Sequence, residues 1–334
     1  MKSPRWLVPA LLLVSMFTFA QSAPEYHQVN KFVLGGNGPG WDYLLYDTQG
    51  NRLFIARGMH VVVVDASTGK QIGEMPANGV HGTALVQDNN RGFFTNGRAG
   101  TVTVFDLKTL KPTGEIKVGE NPDAIIYDPF SKHIIVMNGR SHNMMAIDPE
   151  SLKVVGDVPL GGKLEFAAAD AGHVYVNVED LSQIAVVDSK TWKNTATWKL
   201  EGCEEPSGLA IDTAAHRLFA VCGNSKMVVV DSENGKIVAT VDTGRGTDAA
   251  AFDPGLKLAF ASNGEGTLSV VQTTGDNYKL LENVPTMRSA RTMALDPKSH
   301  RIYLVGAELN PPPAGQRWPQ EKPDTFTVLV YAPK

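Results

Sequence analysis

Apolar residues in this chain come in short runs, each closed by Gly, Asn, Asp or Ser. Residues 207–242 show the unit clearly: SGLAID, a turn, HRLFAVC, a turn, KMVVVD, the turn SENG, then KIVATVD. The runs are rich in Val, Ile, Phe and Ala, and their punctuation is that of β-strands. No window carries a sustained 3.6-residue stripe of helical length. The pattern therefore predicts about four short strands per unit.

The unit recurs. VVVVD ends at Asp65, VTVFD at Asp106, MMAID at Asp148, IAVVD at Asp188 and MVVVD at Asp231, at spacings of 41, 42, 40 and 43 residues. LSVVQ at Gln272 keeps the register without the Asp, and TVLVY at Tyr331 keeps it after an insertion. Seven copies of a four-strand unit with a period near 42 describe an all-β, seven-bladed β-propeller. Residues 24–334 are expected to form this one domain. The last unit stops just after its third strand. Residues 28–34 resemble the fourth strand of other units, so they are expected to complete the final blade and close the ring.

Composition adds a compartment. Lys2 and Arg5, the apolar stretch 7–19 and the small residues Thr18, Ala20, Ser22 and Ala23 have the layout of a cleaved secretory signal peptide over residues 1–23, with cleavage after Ala20 or Ala23. An uncleaved N-terminal anchor is the alternative. Loss of the two basic residues takes the formal net charge from -4 to -6. A mildly acidic, periplasmic or secreted monomer is expected, with no later span. With 43% hydrophobic residues the chain can build a core, and 2 Cys exclude a disulfide-knit scaffold or a multi-Cys metal site. The absence of a basic block argues against a large duplex-DNA footprint.

The runs FFTNG at 93–97, VMNG at 136–139, VYVNV at 174–178 and ASNG at 261–264 are each followed by a VxVxD-like strand and a TGK-like turn. They resemble the YVTN-repeat β-propellers, and RTMALDPKSHRIYLVGAE at 291–308 resembles their exported YncE-like members. The resemblance covers essentially the whole mature chain. It implies the propeller fold and leaves the function open.

Repetition separates scaffold from candidate site. The turns DTQGNR, DPFSKH, DTAAHR and DPKSHR on one face are near-copies, so His133, His173, His216 and His300, at or near one slot in them, read as blade construction. Asn96, Asn138, Asn177, Asn224 and Asn263 recur where second strands end. They read as turn residues, or else as a ring of amides at the channel mouth. The loops between blades differ from one another, and each leads into an innermost strand. Their unshared polar residues are Asp42, His81, Asp123, Glu165, Glu204, Glu205, Asp248, Arg288 and Arg291. Several carboxylates on one opening would suit a divalent cation such as Ca2+, held by Asp42, Asp123, Glu165, Glu205 and Asp248, with His81 moving a proton. A hydrated acidic rim balanced by Arg245, Arg288 and Arg291 is the plainer alternative.

Loops after the second strands add His60, Arg98, Arg140, His142, Glu179, Asp180, Lys226 and Glu265 as surface or as a shallow binding face. Residues 309–324 interrupt the last unit with three consecutive prolines. Arg317 and Trp318 there could cover the mouth, or the segment could be a plain surface flap. Cys203 and Cys222 belong to one corner of the fifth blade and could form a disulfide or remain two thiols. No GxSxG, HExxH, Walker, dinucleotide or c-type haem signature is present. The favoured expectation is a binding protein that uses the mouth for a protein, glycan or nucleic-acid strand. The alternatives are a metal-dependent lactonase-type hydrolase at the same mouth, or a lyase of the streptogramin type.

Overall fold

The computed structural model describes residues 25–36, 38, 40–275, 277–313, 315 and 319–334. The expected leader at 1–23 lies outside the described residues. Among the described residues no helix is long and apolar enough to cross a membrane.

Seven four-stranded antiparallel sheets stand around a central bore. The first blade consists of Leu44–Asp47, Arg52–Ala56, Gly58–Asp65 and Gln71–Val80. The innermost strands of the next five blades are Thr83–Val86, Pro122–Asp128, Leu164–Asp170, Pro206–Asp212 and Thr247–Asp253. Thr292–Asp296 is the seventh, and it lies beside both Thr247–Asp253 and Leu44–Asp47, which closes the circle.

The final blade is built from both ends of the chain. Tyr26–Val33 pairs antiparallel with Thr327–Pro333, which continues onto Arg301–Gly306 and Thr292–Asp296. The closing strand thus starts two residues earlier than the pattern suggested. It is mostly exposed, and its anchor is Tyr26. That ring packs edge-on to Phe260 at 5.1 Å, and its hydroxyl donates to the His300 carbonyl at 2.9 Å.

Each blade is covered on both faces by its neighbours, so a strand between them is apolar on both sides. This explains the continuous valine runs: Val61, Val63 and Val64, and Val228, Val229 and Val230, are fully buried. Phe54 and Phe105 join the first two blades at 5.6 Å.

The recurring aspartates have a local cause. Asp148 accepts the N–H groups of Glu150 and Ser151 at 2.7 and 3.0 Å, and Asp65, Asp188, Asp212 and Asp253 repeat the pattern. Each carboxylate organises its own turn. The histidines of these turns split into two positions. His216 and His300 hold the left-handed conformation just before the second strand, whereas His133 and His173 begin that strand. They do not converge.

Of the five asparagines expected in turns, only Asn224 lies in one. Asn96, Asn138 and Asn263 are the buried last residues of second strands, and Asn177 is the buried last but one of its strand. Asn177 donates to the carbonyl oxygens of Ser207 and Gly208 in the next blade, and Asn263 to the hydroxyls of Thr267 and Ser269. Asn96, Asn177 and Asn263 thereby tie loops and blades together, whereas the Asn138 amide is buried without a hydrogen-bond partner. Asn224 lies just past its strand and donates to the Gly202 carbonyl at 3.0 Å.

Candidate functional site

The innermost strands share one register. Counting five residues back from the residue that ends each strand gives Asp42, Asp123, Glu165, Ser207, Asp248 and Arg291 in six blades. In the second blade the strand ends at Val86, and the same count gives His81. Antiparallel pairing inside every blade fixes this register, so the side chains come together at one end of the bore.

His81 lies between two carboxylates. Its Nδ1 is 2.6 Å from Asp42 Oδ2 and 3.4 Å from Asp123 Oδ1. Its Nε2 backs onto Gly97, where a β-carbon would come within 2.7 Å of it. Asn121 donates its amide to Asp123 Oδ2 at 3.3 Å, which orients that carboxylate. Lys163 bridges Glu165 at 2.8 Å and Glu179. Arg291 Nε meets Asp248 Oδ2 at 3.1 Å.

Burial and like charge set the protonation of this group. Burial pushes Asp123 up to about 6, against the pull of His81. Burial likewise carries Asp248 up to about 6, opposed by Arg291. Glu165 is pushed well above the carboxylate range, first by burial and then by Asp123. Burial opposes charge on His81, but the Asp42 hydrogen bond and the Asp123 and Asp42 charges outweigh it and raise its pKa. The mouth is therefore short of positive charge.

Below the register ring, Tyr43 and Phe166 fill the bore. Under them a chamber of about 380 Å3 opens toward the opposite face, walled by Leu45, Tyr46, Leu85, Ile126, Tyr127 and Met293. Above and to one side, a cleft of about 640 Å3 runs from Arg291 to the insertion, along Gly38, Gly40, Trp41, Ser289 and Glu321. The insertion is fastened at its base. Leu309–Asn310 pairs with Gln320–Glu321, and Glu321 takes both terminal nitrogens of the buried Arg57, one at 2.7 Å. The Arg57 guanidinium also lies 3.9 Å from the centre of the Phe326 ring.

The expected residues divide accordingly. Asp42, His81, Asp123, Glu165, Asp248 and Arg291 share the mouth. Glu205 does not join them. It is exposed, in a left-handed turn two residues before the register position, and its carboxylate lies over Gly223 of its own blade. Arg288 is also exposed, three residues short of Arg291. Trp318 lies outside the described residues. Cys203 and Cys222 form a disulfide with a Cα separation of 5.4 Å, away from the mouth in a corner of the fifth blade. Pattern reading missed Lys163 and the Arg57–Glu321 pair, and it set Glu179 on the outer loops rather than beside Glu165 through Lys163. Aligning the seven units on their strand-ending residues would have exposed the register ring itself.

These features define a seven-bladed β-propeller with a carboxylate-rich mouth. The chain belongs to the cytochrome D1 heme domain family, whose sequence model matches residues 52–252. Its fold is shared with the structure of U3-55K, at a TM-score of 0.76 and 10% identity over 90% of this chain and 98% of that one. It is shared with the WD40 repeats of RRP9, at 0.77 and 10% over 93% and 99%. A chain of Kuenenia stuttgartiensis hydrazine synthase matches at 0.68 and 18%, over 81% and 94%.

The family name implies a haem, and the residues at this mouth do not fit one. Nδ1 of His81 is engaged by two carboxylates and its Nε2 is backed by Gly97. His60 faces Glu74 in the outer strands of its blade at 4.0 Å. A haem brings carboxylates of its own, and here it would meet Asp42, Asp123, Glu165 and Asp248. Burying like charges together is unfavourable.

Proposed function

We propose that this is an exported binding propeller that receives a glycan at the channel mouth. The observation that carries this reading is the cleft of about 640 Å3 that joins Trp41 and Glu321 to Arg291 of the register ring. Carboxylates and a guanidinium are good partners for sugar hydroxyls, and an indole offers an apolar face to a pyranose ring. Trp41 Nε1 has no hydrogen-bond partner at this wall. The chemistry disfavours a nucleic-acid strand, because a polyanion would approach four inward carboxylates. Export is supported by the layout of residues 1–23 and by a disulfide, which an oxidising compartment permits. The resemblance to YncE-like propellers points the same way.

The test is direct titration of the mature protein with neutral oligosaccharides, amino-sugar oligomers and a single-stranded oligonucleotide. Saccharide binding that weakens at least tenfold in Arg291→Gln and Trp41→Ala is expected. Binding of the oligonucleotide alone would overturn the reading.

A further inference from the structure

We propose that Asp42, His81 and Asp123 form a site for a divalent first-row transition-metal ion, Zn2+ above all, with an open position facing the mouth. This deepens the preceding reading, since it places an ion in the same opening. Three donors from three blades lie with their ligand atoms within 4.8 Å of one another. The 2.6 and 3.4 Å separations from Nδ1 bracket the spacing of about 3.3 Å that bonds near 2.0–2.1 Å impose around a tetrahedral ion. Small side-chain rotations would bring all three to one centre.

The surroundings are arranged for it. Asp42 is tied by its backbone to Ala56 and Thr292, and His81 by its N–H to the Thr95 hydroxyl. Asn121 holds the Asp123 oxygen that faces away from the imidazole, the outer-sphere contact that ligating carboxylates require. His81 holds the register position of the second blade, so its imidazole lies between the carboxylates that its neighbours place at the same level. The basic groups nearby are already engaged: Lys163 with Glu165 and Glu179, Arg291 with Asp248. Asp42 and Asp123 have only the imidazole between them. A metal ion bound at Nδ1 would supply positive charge between the two carboxylates, and its binding requires that nitrogen to be free of a proton.

The donor set selects the ion. Ca2+ takes six to eight oxygens. Glu165 and Asp248 are committed to bases and Glu205 is elsewhere, so the all-carboxylate calcium site that the loops suggested does not assemble. One imidazole and two carboxylates suit Zn2+. The open position would accept a hydroxyl oxygen of the ligand or a water.

The experiment uses untagged mature protein, freed of metal with a chelator and titrated with Zn2+, Co2+ and Ca2+ by calorimetry and visible absorption. One Zn2+ per chain is expected, with a tetrahedral Co2+ spectrum and no saturation by Ca2+ at the same concentrations. His81→Gln should weaken Zn2+ binding at least a hundredfold and Asn121→Ala about tenfold, while His300→Gln, at the other end of the bore, should change nothing. No stoichiometric Zn2+, or equal binding in His81→Gln, overturns the site. The Co2+ spectrum of the unaltered protein decides the matter even if a variant misfolds. Saccharide binding by the metal-free protein without any Zn2+ uptake would remove the metal and leave the glycan reading standing. Zn2+ uptake without saccharide binding would do the reverse.

Discussion

The rings of Tyr43 and Phe166 meet across the bore at 4.9 Å, one carried by the first blade and the other by the fourth. They separate a charged mouth from an apolar chamber. Burial, followed by the charges of Glu165 and Asp248, pushes the Tyr43 phenol well above its ordinary value, so the plug stays neutral. Phe166→Ala should join the two compartments and lower stability by about 2–3 kcal/mol, less than a fully buried ring because Phe166 is half-buried. Denaturant unfolding measures the loss, and an unchanged midpoint would show that the contact contributes nothing.

The buried Asp248 gives a pH signature. Its folded pKa of about 6 lies above the ordinary carboxylate value. Below about pH 4 the group is protonated in both folded and unfolded chains, and its ionisation has no effect on stability. Between about pH 4 and 6 the unfolded chain releases the proton more readily, so this residue lowers stability as pH rises. The side chain is about a fifth exposed, at 21%, so the effect should be on the order of 1–2 kcal/mol. Asp248→Asn should therefore melt higher than the unaltered protein at pH 7.5, and the gap should shrink at pH 4. A gap that widens in acid would contradict the assignment.

The Arg57–Glu321 pair is buried on both sides, at 3% and 7% exposure. Removing one member strands the other. Glu321→Ala should cost about 3–5 kcal/mol and expose the insertion to protease. An apolar pair, Arg57→Met with Glu321→Leu, should recover much of the stability. Proteolysis resolved by mass spectrometry reads the first effect and thermal melting the second.

The disulfide closes a separation of 19 residues. The loop-entropy relation gives about 3 kcal/mol for such a bridge. Replacing both Cys203 and Cys222 by Ala should lower the melting point, and the unaltered protein should show no titratable thiol after unfolding without reductant.

Tyr26 holds the closing strand, so Tyr26→Ala should destabilise the whole ring, by about 3 kcal/mol. Loss confined to the N-terminal strand in hydrogen exchange, with the other blades as protected as before, would argue that the ring does not depend on closure.

Blade number, strand content and closure were legible because each blade is written in local chemistry. An aspartate such as Asp148 makes its turn with residues two and three further on, and a run such as 61–64 is apolar because both faces are covered. The acids of the mouth were legible too, as residues that broke the repeat. The Arg57–Glu321 pair was not, since 264 residues separate its members and nothing local marks either one. Glu205 was misplaced for a related reason. A loop name such as EGCEEPS does not say which of its residues occupies the register position, and there it is Ser207. Its hydroxyl is turned away to the Asp248 carbonyl at 2.9 Å.

The pairing of Tyr26 with Pro333 also dictates an order of events. A ribosome makes the first of these residues some three hundred peptide bonds before the second. Until then the outermost strand of the seventh blade has nothing to lie against, and the inner strand of the first blade lacks one neighbour. Contacts of such long range form slowly. The blades between can form as they emerge, but the ring as a whole can assemble only after its last strand has been synthesised.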